Sequence, residues 1–234
     1  MRNGFLSELR DIVRERDIME HPLITRIERG EASQEGLKRL AVQWCRWAVR
    51  STGFRGYLYA KVVEGAWEDP QESLRRMIVQ GILEEETDIR YGPPHRELPA
   101  LLARALGATE EEIHKTPPIP EIVRVQDWIY TVAQREHPVV TLAAGGIGME
   151  EPFSRAAGRL AEALQQIYGL SEEAVSFFSV HAEADIEHGE VAYRAVLEYA
   201  RTGSEQERIR GHVRQARDLF WEMHDGFHRL VFGG

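Results

Sequence analysis

The sequence contains a single cysteine, Cys45, among its 234 residues. One cysteine cannot build a disulfide framework or a cysteine-based zinc site, and such sparing use is typical of a reducing cytoplasm. Long hydrophobic runs are also missing. No segment approaches the ~20 apolar residues that span a bilayer, and the N-terminal stretch MRNGFLSELRDIV has no apolar signal region. These absences predict a soluble cytoplasmic protein with no membrane segment.

Positive charge is scarce as well. Lys and Arg together number 29 against 38 Asp and Glu, so the net charge is −9, and the basic residues are dispersed along the chain. Because nucleic-acid-binding surfaces concentrate basic residues, this balance argues against a nucleic-acid partner. Hydrophobic residues make up 43% of the sequence, which is enough for the substantial core of one large globular domain.

Alternating strand patterns are nearly absent, and apolar residues recur at helical spacing along almost the whole chain. Helices are therefore expected over residues 3–18, 34–64, 70–90, 96–106, 109–115, 119–135, 138–168, 172–202 and 205–231. The Pro-rich segments 92–95 and 116–120 are interpreted as connections between helices. The sequence predicts a single all-α domain over residues 1–234.

The helix expected over 172–202 carries His181, Asp185 and His188 on one narrow face. At 100° per residue, Asp185 lies about 40° to one side of His181 and His188 about 20° to the other. The remainder of that face is apolar: Ala174, Phe177, Phe178, Ala184, Ala192, Ala195, Val196 and Tyr199. Two imidazoles and a carboxylate on a buried face need compensation. Either a metal ion or a hydrogen-bonded polar cluster between core helices supplies it.

A group of acids lies near the end of the helix expected over 70–90. Glu85 falls about 20° from Leu74, at the centre of the apolar stripe. Glu84 and Glu86 fall at the edges of that stripe. Asp88 is a second inward candidate. The Gly-Pro-Pro break that follows allows His95 to fold back towards the end of this helix.

Another acid, Glu150, lies at the edge of the apolar stripe of the helix expected over 138–168, with Glu151 on the far side. Pro152 removes one helical hydrogen bond and is expected to kink the helix beside Glu150. The glycines just upstream, in GGIG, lack the spacing and the Lys-Ser/Thr of a phosphate loop. By themselves they favour close helix packing.

Six inward residues result: Glu85, His95, Glu150, His181, Asp185 and His188. Carboxylates with imidazoles suit iron or manganese, and six donors are more than one ion takes while leaving room for substrate. A dinuclear site between helices of a bundle is the natural arrangement, because carboxylates can bridge two ions. The ferritin-like pattern is excluded, since it needs two Glu-x-x-His pairs.

Together with HPLI (21–24), LEEE (83–86) and HRELPALLARALG (95–107), these residues resemble the haem-oxygenase-like di-iron oxidases. Within that family, the chain resembles the members of the branch that contains the chlamydial protein associating with death domains. The superfamily also contains the thiaminase TenA and pyrroloquinoline-quinone biosynthesis protein C. The resemblance implies a haem-oxygenase-like helical bundle, the six residues as metal ligands, two irons or a Mn/Fe pair as cofactor, and dioxygen as co-substrate.

The resemblance also implies oxidation of a small amine, amino-acid or fatty-acid-like substrate in cofactor or natural-product biosynthesis. An external reductant and a homodimer are expected with it. Some relatives make para-aminobenzoate by consuming their own tyrosine. Here Ile24 and Met149 stand where tyrosines are expected, which argues against that chemistry. A wall of Phe177, Phe178 and Tyr91 would protect the oxidant from water.

Other interpretations remain open at this point. A TenA-like hydrolase would need a catalytic cysteine, for which only Cys45 is available. A cofactorless oxidase would use histidines and basic residues but not three inward acids. A haem oxygenase would need a proximal histidine such as His21, although His21-Pro22 is more simply a turn between helices. A non-catalytic binding or interaction module would hold no iron tightly.

Two further sets of residues are left undecided by the sequence. Arg46, Arg50 and Arg55 lie on the helix expected over 34–64 and could bind a substrate carboxylate. His224 and His228, four residues apart, could suggest a second metal site, but no inward carboxylates accompany them.

Overall fold

The computed structural model describes residues 2–65, 72–87 and 93–233. These residues form helices and no strand, which confirms the all-α prediction. The α-helices are α1 (Arg2–Arg14), α2 (Pro22–Glu28), α3 (Gln34–Ser51), α4 (Phe54–Glu64), α5 (Glu72–Thr87), α6 (Leu98–Ala105), α7 (Glu110–Lys115), α8 (Pro120–Arg135), α9 (Pro138–Leu142), α10 (Glu151–Gln166), α11 (Ser176–Tyr199) and α12 (Gly203–Phe232). A π-helix, Ala143–Glu150, joins α9 to α10, and 3-10 turns at Ile18–Glu20 and His95–Glu97 precede α2 and α6. None of the described helices is long and apolar enough to cross a membrane.

The single helix expected over 34–64 is wrong, because the chain breaks between α3 and α4. The Tyr130 hydroxyl donates a 3.2 Å hydrogen bond to the Arg50 carbonyl, which in an unbroken helix would accept from residue 54. A Cβ at Gly53 would overlap that hydroxyl, so a larger residue at the break would displace the Tyr130 side chain. Past it, Arg55 of α4 lies buried inside the protein.

The N-terminal helix ends at Arg14 rather than at residue 18, and the sequence did not predict the short helix α2. His21 begins α2 as its cap. Its Nδ1 accepts a 3.0 Å hydrogen bond from the Leu23 amide, and its Nε2 lies 3.1 Å from Asp225 Oδ1. His21 therefore caps α2 and also contacts α12 through Asp225. Because both of its ring nitrogens are engaged, it does not fit the role of a haem ligand.

The core centres on Trp44, where α3, α10, α11 and α12 meet. The ring centroids of Phe153, Phe177 and Phe227 lie 5.0 to 5.1 Å from that of Trp44, within the range of favourable aromatic contacts. His224 packs against the same rings and is fully buried. This aromatic cluster is continuous with the polar residues of the site described below, because Phe177 also contacts His181.

We expect His224 to make the fold sensitive to acid. Its Nδ1 donates to the Phe220 carbonyl, and its buried Nε2 has no hydrogen-bond partner. Burial, with a smaller repulsion from His21, lowers the pKa of His224 to about 3. Between that value and the pKa of about 6.5 in the unfolded chain, only the unfolded chain is protonated. The free energy of unfolding therefore falls as the pH falls, by up to ~1.4 kcal/mol per pH unit from this residue.

Urea denaturation of the wild type and His224→Phe between pH 7 and pH 4 measures this contribution. The variant should lose less stability per pH unit than the wild type. His114→Gln, which replaces a histidine whose side chain is 68% exposed, serves as the control and should follow the wild type. Parallel pH dependence of the wild type and His224→Phe would show that His224 is not the acid-sensitive group.

Candidate metal centre

The predicted polar face of α11 points into the bundle. Asp185 and His188 are 2% and 6% exposed, and His181 is half-buried, whereas Glu183 of the same helix is exposed. One potential ligand atom each from Glu150, Asp185 and His188 lies within 4.8 Å of the other two. The fold thus brings two members of the triple on α11 together with an acid from a different helix.

Glu150 is positioned by the π-helix. The Glu151 amide donates to the carbonyl of Gly146, five residues earlier rather than four. Pro152, which follows, has no amide hydrogen, and its ring conflicts with the carbonyl four residues before it in a regular helix. Ahead of the proline the chain widens into a π-helix, which the sequence did not predict, and presents Glu150 at its end. π-Helical turns of this kind are frequent at functional sites.

The glycines of this π-helix allow close packing against other helices, which is the role that the sequence favoured for them. A Cβ at Gly146 would lie 2.7 Å from Ala192 Cβ and 2.9 Å from the His188 carbonyl oxygen. A Cβ at Gly148 would lie 2.7 Å from Ala216 Cβ on α12. The π-helix therefore touches the backbone of α11 beside His188, which sets the distance between Glu150 and the candidate ligands on α11.

Glu85, near the end of α5, faces two histidines. Its Oε2 lies 3.2 Å from His95 Nδ1, and its Oε1 lies 3.9 Å from His188 Nδ1. His95 is 2% exposed and opens the 3-10 turn after the Pro-rich break, so the predicted return of this histidine towards α5 is confirmed. The ring of His181 lies next to that of His95, with the centroids 5.1 Å apart.

Hydrogen bonds indicate which histidine nitrogens face the centre. His181 Nδ1 donates to the Phe177 carbonyl at 2.7 Å, so in the neutral ring Nε2 carries the lone pair. His188 Nε2 donates to Glu84 Oε2 at 3.2 Å. This contact leaves Nδ1 of His188 directed at Glu150 and Asp185, 3.3 and 3.5 Å away. Such outer hydrogen bonds orient metal-binding histidines in many proteins.

The charges of these groups perturb one another. Burial opposes ionisation of Glu85, but the hydrogen bond from His95 and the charge of Arg55 outweigh it and lower the pKa of the Glu85 carboxyl. Burial is likewise outweighed at Glu150, where Arg55 and His188 lower the pKa. Burial raises the pKa of Asp185. At His188, burial favours the neutral ring, but Glu150 and the other nearby carboxylates raise the pKa well above its ordinary value.

The donor set fits iron. Buried Nδ1 of His188 forms no well-aligned hydrogen bond, although two carboxylates lie within 3.5 Å of it. The side chains of Glu150, Asp185 and His188 therefore converge on a common space rather than satisfying one another. Carboxylate oxygens with imidazole nitrogens are suitable ligands for iron or manganese, and a divalent cation would offset the buried negative charge.

Two residues of the site were not predicted. Glu84 was placed at the edge of the α5 stripe, yet its carboxylate reaches His188. Arg55, whose role the sequence left open, inserts its guanidinium between acids: Nη2 lies 3.1 Å from Glu150 Oε1 and 3.6 Å from Glu85 Oε1. The weak signal for Glu84 was its position within one turn of Glu85. No signal in the sequence distinguished Arg55 from Arg46 or Arg50.

A cavity adjoins the centre and is lined by aromatic side chains: Trp44, Trp47, Phe54, Phe153, Phe177 and Phe220. Glu85, His95 and His181 line the same cavity, so a molecule bound there would lie beside the candidate ligands. Phe177 thus belongs to the expected apolar wall, whereas Phe178 packs in the core instead. The other expected wall residue, Tyr91, and the acid Asp88 lie outside the described residues.

The other two arginines are engaged away from the centre. The guanidinium of Arg46 donates to the backbone carbonyls of Ile113 and His114. Arg50 pairs with Asp127 at 3.1 Å, where both side chains are largely exposed. Of the three, Arg55 is therefore the one that contacts the candidate ligands, while Arg50 also lines the adjoining cavity.

The alternative sites lack what their chemistry needs. Cys45 is buried among core residues, and burial raises the pKa of its thiol to about 11, so the thiol is protonated at neutral pH and unsuited to act as a nucleophile. His228 Nε2 lies 3.2 Å from the Arg26 guanidinium, a cation that would repel a metal ion. Within residues 2–65, 72–87 and 93–233, the acid and histidine group at Glu150 is the one that could hold a metal.

Solved structures share this fold. A TenA homologue from Pseudomonas syringae superposes with a TM-score of 0.81 at 14% identity, covering 96% of this chain and 93% of that one. A CADD-like protein of unknown function from Nostoc punctiforme gives a TM-score of 0.73 at 16% identity, covering 97% of this chain and 94% of that one. The helical architecture is therefore that of the haem-oxygenase-like and TenA-like proteins.

Sequence relatives agree with this assignment. The chain is 23% identical over 229 residues to a 4-aminobenzoate synthase of Nitrosomonas europaea, covering 97% of this chain and 92% of the relative. It is 26% identical over 189 residues to a 4-aminobenzoate synthase of Chlamydia trachomatis, covering 79% and 76%. Residues 43–221 match the family described as iron-containing redox enzymes. Since this match spans more than half of the chain, the protein belongs to the family of iron-containing redox enzymes.

Proposed function

We propose that the protein is a non-haem di-iron or Mn/Fe oxidoreductase that uses dioxygen to oxidise a small organic substrate. The position of Glu85 carries this proposal. One of its oxygens faces His95 and the other faces His188, so a single carboxylate joins the His95–His181 end of the site to the Asp185–His188 end.

The Asp185–His188 end, with Glu150, offers three donor atoms that converge closely enough for one ion. It would hold one metal, His95 and His181 would hold the other, and Glu85, which faces a histidine at each end, would serve both. Metal pairs with shared carboxylates are a recurrent feature of helical bundles. When bound in the ferrous state, such a pair supplies the electrons for reduction of dioxygen.

The chain itself contributes orientation and exclusion of water. Glu84 keeps the Nε2 proton of His188 away from the centre, and the Phe177 carbonyl does the same for Nδ1 of His181. The aromatic cavity would bind the apolar part of a substrate and keep water from the reacting atoms. A small amine, amino acid or fatty-acid-like molecule fits this proposal, with an external reductant supplying further electrons.

The names of the two relatives point to 4-aminobenzoate formation as one variant of this chemistry. A route that consumes an internal tyrosine is disfavoured here. Ile24 is fully buried in the core, and among the described residues that line the cavity there is no tyrosine. We therefore propose an external substrate, and we propose that the protein can act as a homodimer without a nucleic-acid or membrane partner.

Anaerobic loading with ferrous iron tests the proposal. We expect the protein to bind two ferrous ions per chain and, once loaded, to consume dioxygen in the presence of a reductant. Protein loaded with Zn²⁺, which cannot change its oxidation state, is the control and should consume none. Binding of less than ~0.2 iron per chain after careful loading would instead favour a cofactorless oxidase or a binding module, because a preformed set of ligands should retain metal.

A further inference from the structure

Arg55 occupies an unusual place for an arginine, inside the cluster of candidate ligands. Its side chain is 7% exposed. A single nitrogen, Nη2, contacts Oε1 of Glu150 at 3.1 Å and Oε1 of Glu85 at 3.6 Å. The guanidinium therefore lies between two of the carboxylates that the proposed function assigns to the metal ions.

The fold provides a place for this guanidinium. A Cβ at Gly81 of α5 would lie 2.7 Å from Arg55 Nη1, so a larger residue at position 81 would displace the end of the arginine side chain. The break at Gly53 starts α4, the helix that carries Arg55 to this place. Gly81 thus leaves the space that the guanidinium occupies.

Arg55 is held by charge and by one hydrogen bond, which Nη2 donates to Glu150 Oε1 at 3.1 Å. Its buried Nε has no hydrogen-bond partner, although a guanidinium offers five donors. A second, smaller cavity adjoins it and is lined by Gln80, Gly81 and Glu84. The guanidinium is therefore attracted by charge, incompletely hydrogen-bonded, and next to space that contains another carboxylate.

We propose that the guanidinium of Arg55 competes with metal ions for the carboxylates of Glu85 and Glu150. In the metal-poor protein it neutralises Glu85 and Glu150, and the last metal ion binds only when the guanidinium withdraws from these carboxylates. The inference rests on the proposed dinuclear function and predicts that the two ions bind with unequal affinity. Binding of the last ion is coupled to movement of a side chain, so it is weakened by the free energy of that movement.

Titration with Mn²⁺, followed by the electron paramagnetic resonance signal of the free ion, tests the competition without any measurement of turnover. In the wild type we expect one tightly bound Mn²⁺ per chain and a second ion bound at least ~10-fold more weakly, in line with the size of typical coupling effects. In Arg55→Met the second ion should bind at least ~10-fold more tightly than in the wild type. Arg50→Met removes an arginine whose partner, Asp127, is at the surface, and should bind both ions as the wild type does.

Arg55→Lys covers the case in which the methionine variant does not fold. A lysine keeps the charge but is a single point donor without the planar fork of arginine, so it competes less well for two carboxylates, and the second ion should bind about 3-fold more tightly or better. Second-ion affinity that is unchanged or weaker in the folded variants would overturn the role of Arg55 while leaving the dinuclear function in place. Absence of Mn²⁺ binding in the wild type and in every variant would overturn both.

Discussion

Asp185→Ala should remove at least one metal ion and abolish dioxygen consumption by the iron-loaded protein. Asp185 is buried at the point where Glu150 and His188 converge, so its loss removes a candidate ligand that no neighbour on α11 can replace. Metal affinity should fall by ~10-fold or more, because even partners outside the ligand set change affinity by that much. Metal content after gel filtration and oxygen-electrode traces give the two readouts.

The fold of the metal-free variant should survive this change. Burial raises the pKa of Asp185, which means that its charged form is poorly compensated, and removing such a group can be neutral or stabilising. His188→Ala should also lose metal, but it should destabilise the apo-protein, since the imidazole is the partner of Glu84 and Glu150. Breaking a buried pair leaves uncompensated charge.

Glu183→Ala is the matched control, two residues from Asp185 but on the exposed side of α11. It should retain metal and change the free energy of unfolding by no more than ~0.5 kcal/mol. If Asp185→Ala and His188→Ala keep full iron and activity, the metal assignment is wrong. If the wild type holds no metal and both variants merely lose stability, the α11 residues form a structural polar cluster.

Gly146→Ala should lower the free energy of unfolding by ~1–3 kcal/mol, the usual range for an overpacked interior. The added methyl would meet Ala192 Cβ at 2.7 Å and the His188 carbonyl at 2.9 Å, and the second of these is backbone that cannot rotate away. The turn of α11 that carries His188 must therefore shift relative to Glu150. We expect weaker metal binding along with the loss of stability.

Gly145→Ala is the comparison that isolates the steric cause. It lies in the same π-helix, but a Cβ there would find its nearest neighbours at 3.9 Å, in Phe54, and 4.0 Å, in Glu150. Those distances are ordinary contacts, so stability measured by urea denaturation should be retained. Equal losses for the two variants would mean that the π-helix requires glycine for its backbone and not for its contact with α11.

Much of the candidate site could be predicted because most of its residues lie on helices. The angular positions of Asp185 and His188 follow from 100° per residue, and the structure buries both while leaving Glu183 exposed. The same reasoning selected Glu85 from a run of acids. Helical periodicity was sufficient here because the direction of a side chain relative to an apolar stripe is a local property of the chain.

Element ends were predicted less well where contacts from elsewhere decide them. The single helix expected over 34–64 is broken by the hydroxyl of Tyr130, which belongs to α8. The π-helix ahead of Pro152 was not predicted, and its glycines rest on α11 and α12. In each case part of the cause is distant in sequence, so a window around the break is not sufficient to predict it.

The sequence alone thus determined the helical class, the inward acids and histidines, and the chemistry that such donors suit. Only the tertiary structure decided which nitrogen of each histidine faces the centre, that Glu84 orients His188, and that Arg55, among three similar arginines, bridges Glu85 and Glu150. The physical reason is that these features are pairwise distances between helices. Helical periodicity sets the face on which a side chain lies, but packing of separate helices sets the partner that it meets.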